Sequence, residues 1–347
     1  DDRWRLDCGL MSNKKVTSLE VAKLAGVSQS AVSRVFTPGA SSSKKTNDLV
    51  RKAADELGYR PNVLARSLIT GKSRIIGLVV AYLDNYFYPE ALELLSSALQ
   101  KKGYHVLVFM AAKTAGNIDD IVDEILDYQV DGIIAASVAM SSDLASRCGA
   151  AGVPVVLFNR SQDDKRLSAV TSDNILGGQK VAEFLIAAGH KKIGYIAGWE
   201  GASTQRDREK GFEEELSRNG LIIFSREVGN FNSDEARQAA RKMFSAEKIP
   251  DAVFVANDDM AFAVMDVIRF ELGLKIPEDV SVVGYDDVPV ASWPAYNLTT
   301  VRQPANRMVA ETVSILIDSI ENKSNEPRRI VIDGPLIIRG SSKISDK

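Results

Sequence analysis

The chain has 347 residues, 45% of them hydrophobic, which is enough for two or three domains with cores of their own. Its net charge of −3 at pH 7 points to no particular partner. No apolar run reaches the length of a membrane span, and two distant cysteines exclude a disulfide framework.

The charge is unevenly distributed along the chain. Residues 1–10 show no signal-peptide pattern, and Met11 followed by Ser-Asn-Lys-Lys is typical of a natural start, so we expect an extension outside the fold. Residues 11–72 carry eleven Lys/Arg and four Asp/Glu, about +7, whereas residues 73–347 carry thirty and thirty-nine, about −9. A basic head on an acidic body predicts that the head binds nucleic acid and that the body does something else.

The stretch "VTSLEVAKLAGVSQSAVSRVF" predicts two short helices around a tight turn. Thr17 or Ser18 can cap the first helix, Gly26 ends it, and Ser28 caps the second. A third helix is predicted from Lys44 to Leu57. The residues expected to face the core of this head are Val21, Ala22, Leu24, Ala25, Ala31, Val32, Val35, Leu49, Val50, Ala53 and Leu57.

This arrangement predicts a helix-turn-helix DNA-binding domain, with the second helix in the major groove. The polar side chains that would meet bases and phosphates are Gln29, Ser30, Ser33 and Arg34. A generic three-helix bundle with a solvated polar face is the alternative, and the basic charge of the head favours DNA.

Thr70-Gly71-Lys72-Ser73 matches the end of a phosphate-binding P-loop. Arg66 stands where that motif needs its first glycine, and the apolar run 75–80 follows the motif instead of preceding it. The stretch therefore does not predict a nucleotide site.

After Arg74 the pattern alternates between buried strands and amphipathic helices. Strands are predicted at 75–80, 105–110, 132–136 and 153–158, with helices at 90–102, 118–128 and 142–151 between them. A second set has helices at 174–188, 205–219, 233–245 and 259–272, with strands at 192–198, 251–256 and 280–285. This alternation predicts an α/β body of two lobes, each a doubly wound parallel sheet.

Three of these strands end in amide or carboxylate residues, at Asn159-Arg160, Asn257-Asp258 and Asp286-Asp287. Ligands bind at such strand ends, so a hydroxylated small molecule is predicted there, with Arg208 as a further donor. Candidate stacking aromatics are Tyr82, Phe87, Tyr88, Trp199 and Trp293.

Structural roles remain open for the same residues. Asn257 and Asp258 can cap a helix, Asp286 can cap a turn, Phe87 and Tyr88 can be core, and Arg208 can pair with Glu213 or Glu214. The sequence shows no metal-ligand spacing, no nucleophile elbow and no dinucleotide-binding glycine motif, so we expect no enzyme, no metal and no cofactor.

Taken together, the chain resembles the lactose repressor/galactose repressor (LacI/GalR) family of bacterial transcription regulators from Val16 to about Ser341. The motifs that carry the resemblance are "VTSLEVAKLAGVSQSAVSRVF", "ELGYRPNVLARSL", "GHKKIGYIAG", "VANDDMA", and "VSVVGYDD" followed by "LTTVRQP". The organisation expected with it is a helix-turn-helix domain over 11–59, a hinge over 60–73, an N-lobe over 74–172 and 302–327, and a C-lobe over 173–301 and 328–343.

The resemblance also implies roles for individual residues. Asn62 to Leu68 would form a hinge helix in the minor groove, with Ala65 on the groove floor and Leu68 as the wedge that kinks the duplex. The residues implied to contact DNA are Thr17, Ser28, Gln29, Ser30, Ser33, Arg34, Thr37, Ser43, Asn62, Ala65 and Leu68. The residues implied to contact an effector are Phe87, Tyr88, Asn159, Arg208, Asn257, Asp286 and Trp293.

Two residues depart from the family pattern. Ser42 replaces an apolar residue before the third helix, and Gln29-Ser30 differs from the best-known members, so no operator sequence can be transferred. We expect a cytoplasmic homodimeric repressor on a near-palindromic operator, controlled by a sugar or sugar derivative. The chain shows no heptad tail, which favours a dimer over a tetramer. The alternatives are a periplasmic solute-binding protein and a cytosolic α/β enzyme such as a sugar kinase.

Overall fold

The computed structural model describes residues 16–37, 40–61, 71–81, 83–111, 118–138, 141–162, 164–322 and 326–345. The chain divides into two compact units, Asp1–Ser73 and Arg74–Lys347. The predictions for Asn62, Ala65 and Leu68 lie outside the described residues, as does the prediction for Tyr82.

The first unit contains helices α1 (Ser18–Ala25), α2 (Gln29–Val35) and α3 (Lys44–Leu57). Each helix begins after a hydroxyl side chain that accepts a hydrogen bond from a backbone N–H of the first turn, and these caps are Thr17, Ser28 and Ser43. Gly26 ends α1 at φ 64°, a left-handed conformation that glycine adopts without steric cost. The predicted helix-turn-helix and its caps are confirmed.

The core of this unit is small and mostly follows the prediction. The predicted residues that are buried are Val21, Ala22, Ala25, Val32, Val35, Val50 and Ala53. The predictions for Leu24 and Leu49 are wrong, since these side chains are 48% and 43% exposed. At about 100° of rotation per residue, each lies roughly 90–110° from the centre of the buried stripe on its helix.

In the second unit, the N-lobe is a sheet of six parallel strands covered by helices. The strands are β1 (Ile75–Val80), β2 (His105–Met110), β3 (Gly132–Ala136), β4 (Val155–Phe158), β5 (Ser168–Ser172) and β11 (Arg329–Ile332), in the order β11-β5-β4-β3-β1-β2. The helices are α4 (Phe87–Lys101), α5 (Ile118–Asp127), α6 (Ser142–Ala150) and α11 (Ala305–Asn322). The central strands are wholly buried, as expected for a parallel sheet with two covered faces.

The C-lobe repeats this plan. Its strands are β6 (Ile193–Ala197), β7 (Ser225–Val228), β8 (Ala252–Val255), β9 (Ser281–Asp286), β10 (Thr299–Arg302) and β12 (Leu336–Ile337), in the order β12-β10-β9-β8-β6-β7, with β12 antiparallel to β10. The helices are α7 (Asn174–Ala187), α8 (Ser203–Arg218), α9 (Ser233–Phe244) and α10 (Asp258–Asp266), the last continuing as a π-helix (Val267–Glu271). The predicted α/β class with two doubly wound sheets is confirmed.

The chain passes between the lobes three times, after β5, after β10 and after β11. The third crossing, after β11, shows that the predicted boundary between the lobes was wrong in one segment. Residues 328–343 were all assigned to the C-lobe, but Arg329–Ile332 pairs in parallel with Ala169–Ser172 in the N-lobe sheet. This edge strand is one arginine followed by three apolar residues, a pattern too short to assign from sequence.

Two glycines let α7 and α8 pack with their backbones in contact. A Cβ on Gly178 would collide with the carbonyl oxygen of Arg208 and lie 2.8 Å from the Phe212 nitrogen. A Cβ on Gly211 would collide with the carbonyl oxygen of Ile175. This close approach fixes α8, and with it the Arg208 side chain, against the ends of the C-lobe strands.

Candidate functional site

A polar cavity lies between the two lobes, where the carboxyl ends of the strands of the two sheets meet. The N-lobe residues that line it are Asp84, Asn85, Tyr88, Ser137, Asn159 and Arg160. The C-lobe residues that line it are Thr204, Arg208, Phe231, Asn257, Asp286 and Gln303.

Arg208 is the centre of a buried polar cluster on the C-lobe side. Its side chain is 2% exposed, its Nε donates to Asn174 Oδ1 at 2.9 Å, and its Nη1 donates to the carbonyl oxygen of Ala256. Its Nη2 lies 3.4 Å from Asp286 Oδ1, and its guanidinium carbon lies 3.7 Å from the ring centroid of Tyr285. These contacts hold the guanidinium in one orientation beside the cavity.

The surface pairing of Arg208 with Glu213 or Glu214, which the sequence left open, does not occur. Both glutamates lie on α8 beyond the buried turn that carries Arg208, and Glu214 approaches Lys210 instead. Arg208 pairs with Asp286 because this carboxylate lies where the guanidinium is buried and shielded from water.

Asp286, at the end of β9, is held by two donors, the guanidinium of Arg208 and the side-chain amide of Gln303. Gln303 Nε2 donates to its Oδ1 at 2.7 Å, in addition to the contact with Arg208. Burial raises the pKa of the Asp286 carboxyl, and Arg208 opposes that rise. Burial and the neighbouring Asp286 also raise the pKa of Asp258, which accepts hydrogen bonds from Thr300 Oγ1 at 2.6 Å and from the Val288 N–H at 3.0 Å.

The N-lobe side carries a second hydrogen-bond chain. The Tyr88 hydroxyl donates to Ser137 Oγ at 2.6 Å and accepts from Asn159 Nδ2 at 3.1 Å. Asn159 has φ 66°, a left-handed conformation that asparagine tolerates better than most residues. These two hydrogen bonds therefore fix the side-chain amide of Asn159 at the end of β4, against the cavity.

Asn257 has both of the roles that the sequence allowed. Its Oδ1 accepts from the Met260 N–H at 3.1 Å and caps α10, and the same residue lines the cavity. Among the described residues, its Nδ2 has no hydrogen-bond partner, and neither does Asn159 Oδ1. Both atoms are buried, and buried polar groups without a hydrogen bond are rare, so both are candidate contacts for a molecule in the cavity.

Of the aromatic residues predicted near the ligand, some line the cavity and others do not. Tyr88 lines the cavity, whereas Phe87 packs beneath it, stacked 6.2 Å from Phe158 and outside the lining. Trp293 is 54% exposed and does not line the cavity. Phe231 does line it, although it was not predicted.

Sequence reasoning also missed Asp84, Asn85, Ser137, Thr204 and Gln303 as lining residues. It named Arg160 after a predicted strand but not among the effector contacts. Gln303 follows β10, which was not predicted as a strand. The strand-end rule applied to β10 would have found Gln303.

In the first unit, the predicted DNA-facing residues of α2 share one exposed surface. Gln29, Ser30, Ser33 and Arg34 are all exposed. Gln29 Nε2 donates to Ser18 Oγ at 2.9 Å, and Arg34 Nε donates to the carbonyl oxygen of Ser30 at 3.4 Å. A polar helix face opposite a buried apolar one is what major-groove binding requires.

The remaining predicted phosphate contacts have local structural roles. Thr17, Ser28 and Ser43 cap the three helices, and Thr37 Oγ1 donates to the carbonyl oxygen of Ser33 at 2.8 Å. Helix N-termini attract phosphates through their backbone N–H groups, so a capping residue can also lie against DNA.

In the part of the chain that the structure describes, no helix is long and apolar enough to cross a membrane. Across the same residues, no group of three or more His, Cys, Asp or Glu side chains could hold a metal ion.

A helix-turn-helix head and a two-lobed body with a polar cavity define a class of protein: DNA-binding regulators with a small-molecule site. Residues 17–62 match the family described as "Bacterial regulatory proteins, lacI family", and residues 182–342 match "Periplasmic binding protein-like domain".

Curated relatives match over almost the whole chain. The "HTH-type transcriptional regulator CelR" of Thermobifida fusca is 33% identical over 341 residues, covering 95% of this chain and 100% of the relative. The "HTH-type transcriptional repressor PurR" of Vibrio vulnificus (strain CMCP6) is 30% identical over 330 residues, covering 94% and 98%.

Solved structures agree. A lac repressor dimer bound to operator and the anti-inducer ONPF aligns with TM-score 0.86 at 28% identity, over 95% of this chain and 100% of that one. A CelR–cellobiose complex aligns with TM-score 0.71 at 31% identity, over 94% and 100%. The chain belongs to the LacI family of bacterial regulatory proteins, and it is a DNA-binding transcriptional regulator.

Proposed function

We propose that the chain is a dimeric repressor whose affinity for operator DNA is controlled by a sugar or sugar derivative bound between the two lobes. The PurR relatives are named as repressors, CelR has been solved with cellobiose, and the lac repressor has been solved as a dimer on its operator. We further propose that it acts by binding alone, in the cytoplasm, where the operator lies.

The observation that carries the effector proposal is the pair of unmet hydrogen bonds across the cavity. Asn159 Oδ1, on the N-lobe, needs a donor, and Asn257 Nδ2, on the C-lobe, needs an acceptor. A hydroxyl group both donates and accepts, so a polyhydroxylated ligand can satisfy both lobes at once. Such a ligand favours one lobe arrangement over others, which is the requirement for allosteric control.

In this mechanism, the lobe arrangement sets the order and spacing of two hinge segments, residues 60–73 of each protomer. Asn62 to Leu68 is the proposed hinge helix, with Leu68 as the wedge and Ala65 on the groove floor. Bending the operator costs roughly 1–6 kcal/mol, offset by the contacts that the bend permits. The coupling between effector and operator is expected to be about 1–3 kcal/mol.

In the head, we propose Gln29, Ser30 and Arg34 as base-reading residues. The proposed phosphate contacts are Thr17, Ser28, Ser33, Thr37 and Ser43. The exposed polar face of α2 and the net positive charge of the head support this assignment.

Selection of bound duplexes from a random DNA pool, at about 50 and 200 mM salt, tests the proposal. A dimeric repressor should enrich a near-palindrome with a flexible central step, and binding should weaken by orders of magnitude at the higher salt. Sugars are then screened for release of the selected operator. A single half-site without symmetry would contradict the dimer, and salt-insensitive binding without any enrichment would contradict DNA reading by the head.

A further inference from the structure

We propose that the effector carries an anionic group, a carboxylate or a phosphate, that binds the guanidinium of Arg160. The inference rests on the proposed effector function of the cavity and specifies the chemical class of the ligand.

Arg160 is a buried cation that has no hydrogen-bond or ion-pair partner among the described residues. It directly follows Asn159 at the end of β4, is 6% exposed and lines the cavity. Its Nε is buried and makes no hydrogen bond to any described residue, and no carboxylate of the described chain lies within ion-pair distance. Its guanidinium lies over the ring of Trp199, whose centroid is 5.6 Å from the guanidinium carbon.

The contrast with Arg208 is instructive because both guanidiniums line the same cavity. Arg208 is bonded to a carboxylate, an amide and a backbone carbonyl. Of the two carboxylates in the lining, Asp286 is already bound by Arg208 and Gln303, whereas Asp84 lies in an exposed position. The buried part of the lining therefore holds two permanent positive charges and one carboxylate.

A guanidinium keeps its charge in proteins, so Arg160 cannot escape the cost of burial by losing a proton. Burying an unpaired charge is far more costly than burying an unpaired amide. A neutral hydroxyl can accept one hydrogen bond from Arg160 but leaves the charge uncompensated. A carboxylate or phosphate supplies both the acceptor oxygens and the opposite charge.

The position of Trp199 supports the same conclusion. A guanidinium over an aromatic ring has one face occupied, while the N–H groups in its plane stay available. That geometry suits two parallel hydrogen bonds to a planar or tetrahedral oxyanion. The residue next to it, Asn159, still offers an acceptor for a hydroxyl of the same ligand.

The first test uses inorganic phosphate and sulfate as probes, at matched ionic strength, with the melting temperature of the full chain as the readout. Wild type should be stabilised more than Arg160→Met, and Arg218→Gln, which removes an exposed arginine of the same charge on α8, should behave as wild type. Without added anion, Arg160→Met should be at least as stable as wild type, because it removes an unpaired buried charge. Equal stabilisation of Arg160→Met and wild type by both anions would overturn the proposal.

The second test compares matched ligands by calorimetry: glucose with glucuronate and glucose 6-phosphate, and ribose with ribose 5-phosphate. The anionic ligand of a pair should bind wild type more tightly than its neutral parent. Arg160→Gln should weaken the anionic ligand about tenfold to hundredfold and the neutral parent by less than about threefold, while Arg160→Lys keeps part of the preference. The carboxylate and phosphate arms distinguish the two kinds of anion.

The outcomes separate this inference from the proposed function. Neutral sugars that bind as tightly as their anionic counterparts, or that are weakened equally by Arg160→Gln, would overturn the anionic class and leave a sugar-controlled repressor standing. An absence of binding by every sugar, neutral or anionic, would remove the sugar effector and the inference together.

Discussion

Replacing Arg208 with methionine tests whether the buried cluster is organised around an ion pair. The substitution keeps an unbranched side chain that fills part of the space of the arginine, but it leaves the Asp286 carboxylate, 5% exposed, without its cation. Removing one partner of a buried pair typically destabilises a protein by about 3–5 kcal/mol. For a unit of this size, that corresponds to a fall in melting temperature of roughly 6–20 °C.

The loss should depend on pH. Burial raises the pKa of Asp286, and Arg208 opposes that rise, so without Arg208 the folded-state pKa rises further. A group whose pKa is raised on folding binds more protons in the folded state, and its contribution to stability falls as pH rises through the folded pKa. Arg208→Met should therefore lie closer to wild type at pH 5 than at pH 8.

Urea unfolding followed by tryptophan fluorescence measures this effect, since Trp199 and Trp293 both lie in the second unit. Arg218→Gln is the matched control: its pair with Glu215 is exposed and should contribute no more than about 1 kcal/mol. Adding Asp286→Asn to Arg208→Met should recover part of the loss, because no unpaired charge remains. A deficit below about 1 kcal/mol, or an equal deficit at pH 5 and pH 8, would refute the ion-pair reasoning.

Three further predictions follow from the same structure. Gly178→Ala should destabilise the body by about 3 kcal/mol or more in urea unfolding, because the added Cβ collides with the backbone of α8. Gly149→Ala is the control: its Cβ meets open space on a helix, so it should increase the free energy of unfolding by about 0.5–1 kcal/mol. Equal effects of the two substitutions would contradict the close helix contact. Arg34→Ala should weaken binding to the selected operator by about 1–3 kcal/mol in a binding titration, more than Arg51→Ala on α3, and unchanged affinity would remove Arg34 from the base readers. Tyr88→Phe should lower the free energy of unfolding by about 1–2 kcal/mol, since it removes a buried hydroxyl that bonds both Ser137 and Asn159. An unchanged stability would mean that Ser137 and Asn159 find other hydrogen-bond partners.

Much of the fold could be predicted from the periodicity of apolar residues and from the residues that begin and end helices and strands. The strands that contain a long apolar run, such as Ile75–Val80 and Ser281–Asp286, were predicted to within a residue or two. The strands that were missed are short, polar or at sheet edges, as in Ser225–Val228 and Arg329–Ile332. Their pairing depends on a neighbouring strand far away in the chain, so no local pattern marks them.

The candidate site divides in the same way. Some of its positions could be predicted, because parallel strands end at a common edge and polar residues there stand out against apolar runs. Trp293 was named for its aromatic character, which does not distinguish a pocket wall from a surface, and it lies exposed and outside the cavity lining.

The partners within the site could not be predicted, because they are set by strand order and not by sequence neighbourhood. Asp286 is bound by Arg208 from α8 and by Gln303 from beyond β10, and β9 meets both only because it lies between β8 and β10 in the sheet. The same folding that gives Asp286 two partners gives Arg160 none among the described residues. Charge balance in the cavity is thus a property of topology, and the proposed preference for an anionic effector rests on this balance more than on the identity of any lining residue.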